Sequence, residues 1–137
     1  MKIVYTKELL EIMSFFSALT GSQLKDCFEV EGMVYFVVEP GQIGKAIGKG
    51  AANVKKLQEK LNKKIRLVEF NPDLIKFVTN LTYPFKVDAI TEENGLIKIK
   101  SQDYQTKALL IGRNAKNLKT MTNVVKRYFT IDEIKVE

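Results

Sequence analysis

A chain of 137 residues with 45% hydrophobic residues can bury a core and has room for one ordinary domain or two small ones. With no histidine and one cysteine, Cys27, it lacks the ligands of a zinc or iron–sulfur site and cannot use a histidine general base. One thiol forms no internal disulfide, and no apolar run approaches the roughly 20 residues of a membrane span, so the expected setting is a reducing cytoplasm.

The first residues, MKIVYTKELLEIM, contain no long apolar stretch and no small-residue cleavage site, and no secretion signal is expected. Thr6 is the expected N-cap of a helix running to about Ala18, with Leu9, Leu10, Met13, Phe16 and Leu19 at helical spacing. Thr20-Gly21-Ser22 stops it. Asp26 to Val30 and Met33 to Glu39 read as strands joined by a tight Glu31-Gly32 turn. After Pro40-Gly41, a short helical piece covers Gln42 to Ile47, a Gly-Lys-Gly loop follows, and a helix runs from about Ala51 to Asn62. Val54, Leu57 and Leu61 share its inner face, leaving Lys55, Lys56 and Lys60 largely outside. Ile65 to Phe70 closes the unit as a strand.

The same order then repeats. Asn71 is an N-cap candidate with Pro72 at the first helical position, and the helix runs to about Leu81. Phe85 to Ile90 is a predicted strand, Glu92-Glu93-Asn94-Gly95 the turn, and Leu96 to Lys100 the next strand. A short helix is expected over Asp103 to Ile111, a longer one from about Ala115 to Phe129, and a last strand over Ile131 to Val136. The expected boundary separates residues 1–70 from 71–137, with no Gly/Ser-rich linker, so the units are expected to pack rigidly.

A shift of 64 residues lays Ile47-Gly48-Lys49-Gly50-Ala51-Ala52-Asn53-Val54-Lys55 over Ile111-Gly112-Arg113-Asn114-Ala115-Lys116-Asn117-Leu118-Lys119. Five of the nine positions are identical, which marks two related units too long for a solenoid repeat. The basic charge gathers at the same places. Eight basic residues face one acid, Glu59, between Gly41 and Arg66, and six face none between Thr106 and Arg127. The net charge is +6, so the remainder of the chain is acidic on balance. Two matched basic stretches point to a polyanion more than to solvated helix faces.

A glycine-rich loop in front of a helix offers unpaired N–H groups at the positive end of the helix dipole, a setting for phosphate. Neither nucleotide motif fits. The P-loop needs Ser or Thr after Gly-Lys, where this chain has Gly50. The dinucleotide fingerprint needs glycine where Asn53 stands. A short helix, not a strand, precedes each loop.

A loop of the form I-G-x-x-G between two short helices, with a strand before and a strand after, resembles the KH domain. The helix and strand ahead of the motif resemble the type II arrangement. Two such units in a chain of this length resemble the archaeal NusA-like transcription factors over nearly the whole sequence. The resemblance implies an α+β fold of two tandem type II KH domains, each a three-stranded sheet packed against three helices. It also implies binding of single-stranded RNA in transcription elongation or termination, with RNA polymerase or a transcription complex as a further partner. The loop departs from the family in one respect, because Ala51 and Ala115 stand at the fourth position, usually glycine.

On this reading Gly48 and Gly112 allow close approach of the RNA backbone, and Lys49 and Arg113 contact phosphate. Ile47 and Ile111 are core or groove-floor residues, and Gly50 and Asn114 shape the loop tip. Each alanine narrows the approach or begins the following helix. Asn53 and Asn117 either reach a base or sugar or cap the loop. Lys55 and Lys119 add diffuse attraction, and Arg66 on the closing strand reaches a base edge or pairs with an acid.

No nucleophile–base pair is visible, so a binding module is expected: a monomer with no enzymatic activity, metal or cofactor and no membrane partner. Two alternatives stay open: an RNA-binding factor of ribosome assembly or translation, and a KH-derived adaptor with weakened RNA binding that holds a protein partner.

Overall fold

The computed structural model describes residues 3–137, and the chain divides into two compact units, one ending at Asn71 and the other running from Pro72 to Glu137. The first contains α1 (Lys7–Thr20), β1 (Leu24–Val30), β2 (Met33–Val38), α2 (Ile43–Ile47), α3 (Ala52–Leu61) and β3 (Lys64–Glu69). The second contains α4 (Leu74–Thr82), β4 (Ala89–Glu93), β5 (Leu96–Lys100), α5 (Tyr104–Ile111), α6 (Lys116–Lys126) and β6 (Glu133–Val136). Each unit has one three-stranded sheet with its second strand in the middle, antiparallel to the first and parallel to the third. The fold is α+β, with the element order of the tandem type II KH arrangement. No described helix is long and apolar enough to cross a membrane.

In the first unit Val34, Phe36 and Val38 alternate along β2 toward the helices and are fully buried. Phe16 of α1 stacks on Phe36 with ring centroids 4.4 Å apart. Ala46 of α2 and Leu57 of α3 complete this cluster, so the two helices flanking the loop are anchored to the sheet by one buried side chain each. Burying a leucine contributes roughly 1.5–3 kcal/mol, enough to fix a short helix that could not stand alone. In the second unit the same positions are held by Ile97 and Ile99 of β5, Leu110 of α5, and Met121, Val124 and Val125 of α6. Phe77 of α4 meets Tyr128 edge-on at 5.4 Å.

Thr6 caps α1 as expected, its hydroxyl accepting the Leu9 N–H at 3.1 Å, and Gly21 ends the helix in the left-handed region at φ 65°. Helix α4 differs from expectation. Its cap is Asp73, whose carboxylate accepts the Lys76 N–H at 3.1 Å, and not Asn71. Asp73 directly precedes the stripe Leu74, Phe77, Val78 and Leu81, and the stripe decides where the helix begins. Strand β4 also lies further along than Phe85 to Ile90. The hairpin turn is only Asn94-Gly95, both with positive φ (51° and 84°), so Glu92 and Glu93 belong to the strand and Glu93 pairs with Leu96. Helix α6 stops at Lys126, and Arg127 to Phe129 form a tight turn onto the carbonyls of Val124 and Val125.

Candidate nucleic-acid interface

The two loops have the same shape in residues of different identity. Gly48 lies at φ 79°, ψ 167°, Gly50 at 61°, 27° and Ala51 at 59°, 29°. Gly112 lies at 76°, 173°, Asn114 at 56°, 32° and Ala115 at 59°, 24°. In each loop the alanine N–H bonds the first glycine's carbonyl at 3.2 Å. Lys49 and Arg113 are exposed at the two tips, while Ile47 and Ile111 are half-buried beneath them. Asn114 sits where the first loop has Gly50, because asparagine tolerates the left-handed region better than most residues.

The alanines do not begin the helices. α3 starts at Ala52 and α6 at Lys116, with Ala51 and Ala115 left-handed just before them. Ala's helix preference loses here to the loop shape that the glycine-like position demands. An L residue in that region costs about 1 kcal/mol or somewhat more. Ala51→Gly and Ala115→Gly are therefore each expected to raise stability by about 1 kcal/mol. Thermal melts of the two variants check this, and unchanged or lower melting points would contradict it.

Asn53 and Asn117 hold the loops. The Asn53 side-chain amide donates to the Lys45 carbonyl at 3.2 Å, and the Asn117 amide donates to the Leu109 carbonyl at 2.9 Å. Each bond ties the second helix of its pair back to the last turn of the first. The asparagines lie where a glycine side chain would be: a Cβ on Gly48 would meet Asn53 Nδ2 at 2.8 Å, and one on Gly112 would meet Asn117 Cγ at 2.7 Å. Of the two roles open from sequence, these bonds supply the one of holding the loop. Lys45 and Leu109, the acceptors, were invisible from sequence, since a carbonyl eight residues back carries no residue-type signal.

No side chain caps α3 or α6, and neither has an acid in its first turn. By contrast α1, α4 and α5 are capped by Thr6, Asp73 and Asp103. The first N–H of each helix bonds a loop carbonyl, Ala52 to Lys49 and Lys116 to Arg113, and the positive dipole end behind each loop is offset by no side-chain cap and no carboxylate of its own first turn. Lys55 and Lys119 are exposed on the same two helices.

Arg66 stands apart. Ile65 and Leu67 of β3 pack on the helix-side cluster, so Arg66, pairing with Tyr35 of β2, belongs to the opposite face of the sheet. Burial pushes the Tyr35 phenol up from its ordinary pKa, and the Arg66 charge partly offsets the rise. The structure does not bring Arg66 to the loop. Among the described residues there is no cluster of three or more His, Cys, Asp or Glu side chains that could hold a metal.

A family model described as KH domain matches residues 13–102, from α1 through β5. The chain belongs to the KH-domain family. It is 32% identical to a "Probable transcription termination protein NusA" of Methanocaldococcus jannaschii, over 96% of this chain and 73% of that protein. A protein of the same name from Thermoplasma acidophilum is 27% identical over 99% of this chain and 96% of its own length. Among solved structures, the crystal structure of APE1850 is similar with a TM-score of 0.77 and 32% identity, covering 97% of this chain and 100% of that one.

Proposed function

We propose that this chain is a single-stranded RNA-binding protein acting in transcription elongation or termination, each loop pinning a short run of RNA backbone. The observation that carries the reading is the pair of matched loops, each with an exposed basic tip, set before helices whose N-termini no side chain caps. Phosphate is the ligand such ends favour. KH loops clamp about four nucleotides of backbone, so single strands fit better than a duplex. The names of the relatives, probable transcription termination proteins, support the transcriptional setting; RNA polymerase or its complex is the further partner in this reading. In this reading the protein works as a cytoplasmic monomer, without catalysis or cofactor.

The test is binding of the purified protein to a labelled single-stranded RNA and to the matching duplex. Preference for the single strand is expected. Equal affinity for both forms, or none for either at low salt, would overturn the reading and favour a protein-binding adaptor.

A further inference from the structure

Helix α5 carries one feature that the loop chemistry does not use. Tyr104, Ala108 and Gly112 recur every fourth residue, so they form a single row along the helix that ends at the first glycine of the second loop. The helix's other side is fixed inward by Thr106 and Leu110, both buried, which turns the row outward. Tyr104 is 81% exposed, the highest value among the exposed large hydrophobic residues described, and Ala108 is exposed between it and the loop. At a rise of 1.5 Å per residue, Tyr104 lies about 12 Å along the helix from Gly112. Three or four nucleotides of single strand cover that span, since even stacked phosphates advance about 3.4 Å each.

The equivalent position of the first unit carries no aromatic ring. The 64-residue shift lays Tyr104 over Pro40, which precedes the shorter α2, whereas α5 begins earlier and displays the ring on its extra turn. Asp103 beside it is engaged as the helix cap, its carboxylate accepting the Thr106 hydroxyl at 2.6 Å. That bond holds the carboxyl below its ordinary pKa and commits its charge to the helix end.

We infer that Tyr104 is a base-stacking residue of the second unit: RNA pinned at Gly112–Ala115 lays a base, a few nucleotides along, on the Tyr104 ring. The two units then grip RNA unequally, the first through charge alone and the second through charge and stacking. The inference rests on the loop reading above. A flat row of Tyr, Ala and Gly leading into the loop gives a strand room to lie down, and an aromatic face serves any base.

The experiment is titration of a labelled ten-nucleotide single strand with Tyr104→Ala, Tyr104→Phe and Tyr104→Trp, beside Lys49→Asp/Arg113→Asp. Loss of the ring is expected to weaken binding about 5- to 150-fold with an unchanged melting point. Phenylalanine and tryptophan retain affinity, and the tryptophan, alone in a chain that has none, is quenched by RNA. Wild-type affinity in Tyr104→Ala, or weakening that phenylalanine does not rescue, or a loss that tracks a fall in melting point, overturns the inference. If the charge-reversed protein weakens while Tyr104→Ala does not, the loop reading survives and stacking fails. If the charge-reversed protein binds as wild type, the loop reading itself fails.

Discussion

Gly48→Ala and Gly112→Ala are each expected to destabilise the protein by about 2–4 kcal/mol and to weaken RNA binding with it. Two terms add. The backbone at φ 79°, ψ 167° lies in a region that essentially only glycine occupies, and forcing another residue there costs of order 1–3 kcal/mol. The new methyl would also collide with Asn53, displacing the amide that bonds Lys45, and losing that bond costs about 1 kcal/mol more. Gly50→Ala is the contrast. Nothing lies within 4 Å of a Cβ there, and the second loop already holds Asn114 in the same conformation. It should cost only about 1 kcal/mol. Urea midpoints of the three variants test the ordering. In an Asn53→Ala background the Gly48→Ala effect should shrink, because the collision is gone. Equal costs at Gly48 and Gly50 would show that the asparagine does not hold the loop.

Lys49→Asp combined with Arg113→Asp is expected to lower affinity for single-stranded RNA on the order of 100-fold or more without changing stability. A hydrogen bond to a charged group is worth about 1.5–3 kcal/mol, and the double variant removes one such contact at each loop and adds repulsion. Both side chains are exposed at loop tips, so the fold does not depend on them. Circular dichroism melts beside the RNA titration separate the two effects. Unchanged affinity in a folded double variant would remove the loops as the binding site.

Much of this arrangement could be read from the residues. The 64-residue repeat gave two units of one element order, because identical loop residues recur where identical geometry is needed. The Asn94-Gly95 hairpin was also legible, but the acids before it drew the turn too long; exposed glutamates belong as readily to an edge strand. Arg66 was less legible: it was expected to reach a base edge or pair with an acid, and only the folded sheet, with Ile65 and Leu67 packed on the helix side, puts it on the face away from the helices. Other features had no local signal. Alanine favours helix, so nothing in its identity announces the left-handed backbone at Ala51 and Ala115; the loop imposes it. The role of Asn53 depends on a carbonyl eight residues earlier that only the folded helix pair brings within reach.

The most direct test of RNA backbone binding at both loops is the slope of log affinity against log salt for a single-stranded RNA, in wild type and Lys49→Asp/Arg113→Asp. A single strand loses about 0.7 in slope for each phosphate contact released. If each loop holds one phosphate through its tip, the variant's slope should be shallower by about 1.4. Parallel salt lines with equal affinity would contradict the account, placing the RNA, or whatever anion the chain holds, away from Gly48–Ala51 and Gly112–Ala115.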